Sequence, residues 1–136
     1  MLAIEVDPRD PTPLYAQLER AIRSAIAAGR LRVGDQLPTV RQMAVELRVN
    51  ANTVARVYAE LERAGVLETR RGVGTFVRAH VPPAPPDGDL RLRLLLDRLL
   101  AEAAALGYTA SDVLDALDRS VRRDGNADAA SRGKDD

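Results

Sequence analysis

Residues 50–56, Asn-Ala-Asn-Thr-Val-Ala-Arg, place two amides, a hydroxyl and a guanidinium within two helical turns. These groups suit nucleic acid. Arginine pairs bidentately with guanine and asparagine with adenine, each worth ~1–3 kcal/mol of discrimination. A helix N-terminus adds amides and a dipole that favour phosphate. Further cations stand before and after this segment, at Arg41, Arg70 and Arg71, the last followed by Gly72. Other chemistries have little to work with. The 136-residue chain has no cysteine and one histidine, His80, so disulfides, thiolate metal sites and cysteine nucleophiles are excluded. No paired carboxylates mark a pocket, and Gly72-x-Gly74 does not open a helix, so it is not a phosphate-binding loop. No catalytic residue, cofactor or metal site is expected.

The elements that must position these residues follow from apolar spacing and caps. A first helix should start near Pro13 and stop at Gly29, with Leu14, Leu18, Ala21, Ile22, Ala25 and Ile26 at helical intervals. Gly34-Asp35 reads as a turn. A second helix begins at Thr39, which with Gln42 completes a capping-box pattern, and buries Val40, Met43, Ala44 and Leu47. Arg41 and Arg48 then share one flank off that stripe. The third helix has Asn50 as N-cap and ends at Gly65, with Val54, Val57, Tyr58 and Leu61 inward. At about 100° per residue, Asn52 and Arg56 face away from the core. Leu67 to Arg70 and Thr75 to Val77 read as short strands of a hairpin. Helix, turn, helix and basic hairpin is the order of a winged helix-turn-helix, which sets a helix N-terminus in the major groove with a wing beside it. The fold class is mainly α with a small β wing. Tyr15 and Tyr58 are expected in its core.

Net charge is zero, but it is unevenly spread. Residues 1–80 hold 12 Arg against 9 Asp and Glu, and residues 81–136 hold 8 Lys and Arg against 11 acids. A phosphate-binding face therefore belongs to the first part. Arginine makes up 19 of the 20 basic residues, a bias that a GC-rich genome also produces.

The domain boundaries follow. Residues 1–80 form the winged helix and 81–89 a Pro-rich linker. Residues 90–123 form a two-helix region, and 124–136 a tail expected to be disordered. Helix 4, from about Leu90 to Leu106, has leucines around more than one face, whereas a solitary surface helix buries one stripe. Thr109 can cap helix 5, with Asp112 in its first turn, and this helix should end near Arg123. Helix 5 covers only part of the excess. The apolar surplus at Leu92, Leu95, Leu96, Leu99, Ala103, Leu106, Leu114 and Leu117 predicts a homodimer built on helices 4 and 5. The competing explanation is packing onto the winged helix within one chain.

Four blocks in order resemble the GntR family of bacterial transcription regulators, over roughly residues 11–78. They are Pro13-Leu14-Tyr15-x-Gln17-Leu18, Gly34-Asp35-x-Leu37-Pro38-Thr39-Val40-Arg41, Asn50-x-Asn52-Thr53-Val54-x-Arg56-x-Tyr58-x-x-Leu61, and Arg70-Arg71-Gly72-x-Gly74-Thr75-Phe76-Val77. A second part this short is similar to the YtrA-type branch, with Ala51 where that branch often has Pro. The resemblance implies a dimeric repressor of an operon, often one encoding a transporter, whose double-stranded DNA operator carries inverted half-sites. By position it makes Arg41, Asn50, Asn52, Thr53 and Arg56 the helix-turn-helix contacts and Arg71 with Gly72 the wing contacts. Arg48 and Arg78 are lesser phosphate candidates.

Each residue also has a plainer reading. Arg41 is otherwise a solvated flank residue, Asn50 an N-cap, Arg56 a partner for Glu60 at i+4, and Arg71 part of a solvated hairpin. Apolar runs such as Leu94-Leu95-Leu96 fall far short of the ~20 residues of a membrane span, and no signal peptide is evident. A cytoplasmic protein with no membrane partner is expected. Five helices leave little room for an enclosed effector pocket, so any small-molecule inducer should act by changing the angle between the winged helices of the dimer. The alternatives are a winged-helix protein-interaction or RNA-binding module without operator specificity, and a small hydrolase or transferase.

Overall fold

In a computed structural model, residues 4–78 and 85–132 are described, those from Arg122 onward through the backbone alone. They belong to two compact units, residues 1–80 and 81–136.

The first unit contains α1 (Leu14–Ala27), α2 (Val40–Leu47), α3 (Ala51–Arg63), β1 (Leu67–Arg70) and β2 (Gly74–Val77). Its helix starts are specified locally. Pro13 occupies the N-cap of α1. Thr39 and Gln42 form the reciprocal capping box of α2, at 3.1 Å from the Gln42 N–H to Thr39 Oγ1 and 2.9 Å from the Thr39 N–H to Gln42 Oε1. The Asn50 side chain caps α3. Each helix puts its apolar stripe into one core. Leu18, Ile22 and Ala25 come from α1, Met43 and Ala44 from α2, and Val54, Val57, Tyr58 and Leu61 from α3; Leu67 and Val77 close it from the strands. Between α2 and α3 the chain passes through Arg48, a non-glycine residue with left-handed backbone (φ 57°, ψ 45°).

The hairpin pairs antiparallel, Leu67 opposite Val77 and Arg70 opposite Gly74, so β2 is one residue longer than its sequence suggests. The stretch read only as a turn does more. The Gly34 N–H donates to the Val77 carbonyl (2.8 Å), Leu37 N–H to Thr75 (2.8 Å) and Val77 N–H to Asp35 (2.9 Å). Residues 34–37 thus pair with the outer edge of β2 and tie the wing to the lead-in of α2.

The second unit is a helix pair, α4 (Gly88–Ala105) and α5 (Ala110–Arg132). Helix α4 starts two residues earlier than expected, inside the segment read as linker, and Asp87 pairs with Arg91 across its first turn (3.0 Å). Of the Pro-rich stretch, residues 81–84 lie outside the described residues, as does His80. Thr109 and Asp112 form a second capping box, Asp112 Oδ2 accepting the Thr109 N–H at 2.8 Å and Thr109 Oγ1 the Asp112 N–H at 3.2 Å. The Thr109 N–H, then the Thr109 hydroxyl, holds the Asp112 carboxyl below its ordinary range. Helix α5 continues to Arg132, so residues 124–132 are helical where an irregular tail was expected. Alanines at 127, 129 and 130 favour helix and offset Gly125. Residues 133–136 of that tail lie outside the described residues.

No residue of α4 is buried. Leu92, Leu95, Leu96, Leu99 and Leu106 are exposed, as are Leu114 and Leu117 of α5, while Ala103 is half-buried. Between the two helices lies an open groove of about 560 Å³, with Leu99, Ala103, Tyr108, Val113 and Leu117 among its lining residues.

Candidate nucleic-acid interface

The first turn of α3 is organised by Asn50. Its Oδ1 accepts the Asn52 N–H at 2.8 Å, and its carbonyl accepts the Thr53 N–H at 3.0 Å. Both amides are therefore occupied within the chain. What this turn presents outward is chemistry of side chains: the amide of Asn52, fully exposed, and the half-buried Thr53. Asn50 fills the capping role that its plainer reading gave it.

Arg56 is exposed one turn on, but its partner is not Glu60. Glu60 is engaged by Arg63 at 3.1 Å. The Arg56 guanidinium instead lies over the Tyr15 ring, 4.1 Å from its centroid. Tyr15, placed in the core on sequence grounds, is 38% exposed. It is the second residue of α1, so the start of that helix adjoins the start of α3. Tyr58 alone takes the core position expected of both tyrosines. Its hydroxyl donates to the Pro38 carbonyl at 2.7 Å, and burial pushes its phenol pKa up.

The arginines sort into paired and unpaired. Arg23 lies 3.3 Å from Glu19 and Arg70 3.9 Å from Glu68. Arg41, the second residue of α2, Arg48 and Arg71 are exposed, and among the described residues their side chains make no ion pair or hydrogen bond. Arg78 is likewise exposed and without a side-chain partner among them. Exposed ion pairs add little stability, but they neutralise local charge. The cations left unneutralised include those of α2, the α2–α3 turn and the hairpin tip.

In the hairpin, Arg70 and Arg71 are placed differently. Arg70 ends β1 and lies over the Phe76 ring at 4.5 Å, whereas Arg71 is already in the turn. Gly72 has φ 76° with open space where a Cβ would stand, so a partner can approach its backbone closely. Gly74 is different: at φ 147° a Cβ there would collide with the Gln36 side chain, whose Nε2 donates to the Val73 carbonyl at 3.1 Å.

Sequence reasoning placed its candidate residues on α2, α3 and the wing but did not find the contacts of Tyr15 and Gln36. Their partners lie far along the chain, and only the aromatic type of Tyr15 gave a hint. Among the described residues, no helix is long and apolar enough to cross a membrane.

Comparison with known proteins agrees with this arrangement. Residues 14–77 match the family described as bacterial regulatory proteins, gntR family. The chain is 35% identical over 105 residues to the HTH-type transcriptional repressor YtrA of Bacillus subtilis, covering 76% of this chain and 81% of that protein. It is 40% identical over 111 residues to the HTH-type transcriptional regulator Rv1152 of Mycobacterium tuberculosis, covering 82% and 88%. Among solved structures, YtrA from Sulfolobus acidocaldarius, a GntR-family transcription factor, superposes with a TM-score of 0.55 at 33% identity, covering 72% of this chain and 97% of that one.

Proposed function

The chain belongs to the GntR family of bacterial DNA-binding transcription regulators, among its YtrA-type members, and from that premise we propose that it is a dimeric repressor acting on an operator with inverted half-sites. Arg41, Asn52, Thr53 and Arg56 face the major groove, with Asn50 holding the turn that presents them. Arg71 and the Gly72 backbone take the wing side. The observation that carries this reading is the unneutralised state of Arg41, Arg48 and Arg71, together with the exposed side chains of the first turns of α3. Phosphate binding needs such free cations, and their release of counterions makes affinity fall with salt.

Dimerisation rests on the second unit. Eight leucines of α4 and α5 are exposed in the single chain, Leu95 by 62% and Leu99 by 50%. At about 25 cal/mol per Å² of apolar surface, covering these side chains favours association of two copies. A two-fold pair of winged units then matches inverted half-sites, whose spacing the dimer sets. Repression follows the B. subtilis relative's name, and a transporter operon is the target the resemblance implies.

Fluorescence anisotropy on duplex DNA from upstream of the protein's own gene, beside scrambled duplex and over a salt series, tests this. Tight binding to one segment, weakened by salt, is the expected result. Equal and weak binding to both would move the protein to a winged-helix interaction module.

A further inference from the structure

We infer that Tyr15, on α1 and outside the helix-turn-helix proper, is a positioning residue for sequence discrimination. Its ring fixes the Arg56 guanidinium beside the first turns of α3. The inference rests on the proposed groove-facing role of Arg56 and adds the means by which that side chain is oriented.

Two observations meet here. First, the guanidinium stands 4.1 Å from the ring centroid although Glu60, the partner at i+4, is within the reach that helical spacing gives it. Glu60 is held by Arg63 at 3.1 Å, so the neighbouring carboxylate does not draw Arg56 away from the ring. Second, Tyr15 sits on a fastened piece of backbone. Gln17 binds the chain ahead of α1 through three hydrogen bonds. Its Oε1 accepts the Asp7 N–H at 2.8 Å, and its Nε2 donates to the carbonyls of Asp7 at 2.9 Å and Thr12 at 2.8 Å. The first turn of α1, which carries the ring, is thereby tied to the segment that leads into it.

An arginine free in solvent loses rotamer freedom when it binds a base edge. One already held against a ring has lost part of it beforehand, so a larger share of the pairing appears as affinity. Because a base edge presents a directional pattern while phosphate does not, fixing the guanidinium matters more for the correct sequence than for any other. Tyr15 is partly exposed, so removing its ring leaves the core intact, and the loss should appear in discrimination rather than in folding.

The test uses the full chain, with the tightest duplex selected from a random pool and a scrambled duplex of equal length. Tyr15→Leu should lower the affinity ratio between the two duplexes about three- to fivefold, as the strength of a partly exposed cation–π contact implies, with the melting temperature unchanged. Tyr15→Phe, which keeps the π face, should retain the ratio. In an Arg56→Ala background, Tyr15→Leu should lower it no further. Proton NMR of the free protein should show the Arg56 side-chain resonances losing their ring-current shift in Tyr15→Leu but not in Tyr15→Phe. Equal weakening on both duplexes would make Tyr15 a phosphate or scaffold residue and overturn the inference. So would additivity with Arg56→Ala. If Arg56→Ala itself leaves the ratio unchanged, the groove-facing role of Arg56 fails first, and that arm reports it separately.

Discussion

The Tyr58 hydroxyl donates a 2.7 Å hydrogen bond to the carbonyl of Pro38, twenty positions earlier in the chain. Pro38 immediately precedes the N-cap of α2, so the bond couples the middle of α3 to the place where α2 begins. It fixes the start of α2 against α3.

Tyr58→Phe should therefore destabilise the winged unit by about 1 kcal/mol, since it leaves the Pro38 carbonyl without this partner. Urea unfolding measures the loss. The pH dependence has a defined sign. Burial raises the folded-state pKa of Tyr58 above its ordinary 10.0, so its contribution is complete below pH 10 and is lost as pH rises through the folded value. The wild-type protein should lose stability above pH 10, and Tyr58→Phe should lose less over the same range.

Substitutions of the exposed arginines should separate by role. Arg41→Ala and Arg56→Ala each cost about 1–3 kcal/mol on the selected duplex and relax specificity. Arg71→Ala weakens binding to all duplexes alike and reduces the salt slope by about 1. Anisotropy titrations over a salt series distinguish the two patterns. A uniform effect from all three would remove the assignment of Arg41 and Arg56 to base readout.

Leu95→Asp combined with Leu99→Asp should yield monomers by light scattering and much weaker affinity for a two-half-site duplex. Charge on a surface that two copies bury is desolvated without a partner. An unchanged mass would show that this face of α4 is not where the copies meet.

Gly74→Ala should loosen the wing. The backbone at φ 147° disfavours any side chain, at a cost on the order of 1–3 kcal/mol, and the new methyl displaces the Gln36 amide from Val73. Hydrogen exchange should speed up in β1, β2 and residues 34–37 more than in α1. Equal acceleration throughout would mean that the wing does not open independently of the helices.

What was legible in the sequence was local. Thr39 with Gln42 and Thr109 with Asp112 declared their capping boxes three residues apart, and the four inward residues of α3 declared their face by spacing. What was not legible was set by distance along the chain. Tyr15 meets Arg56 across 41 positions, and Gln36 meets Val73 across 37; no periodicity reports such pairings. Tyr15 also shows why residue type alone misleads, because an aromatic ring serves a core and a cation equally well. The pairing of residues 34–37 with β2 was hidden for a related reason, since Gly34-Asp35 carries a strong turn signal that says nothing about which edge the following residues join.

Arg48 adopts a backbone conformation that the chain elsewhere assigns to glycine among the described residues, at a cost of roughly 1–2 kcal/mol for a residue with a side chain. Glycine or asparagine there would make the fold sturdier. The chain instead carries a cation at that corner, so under the proposed phosphate role of Arg48 the turn between α2 and α3 is a place where durability and occupancy of DNA pull against each other. Thermostable versions of this regulator chosen only for resistance to heat should drift toward Arg48→Gly and, on the proposed role of that cation, should hold DNA less tightly for it.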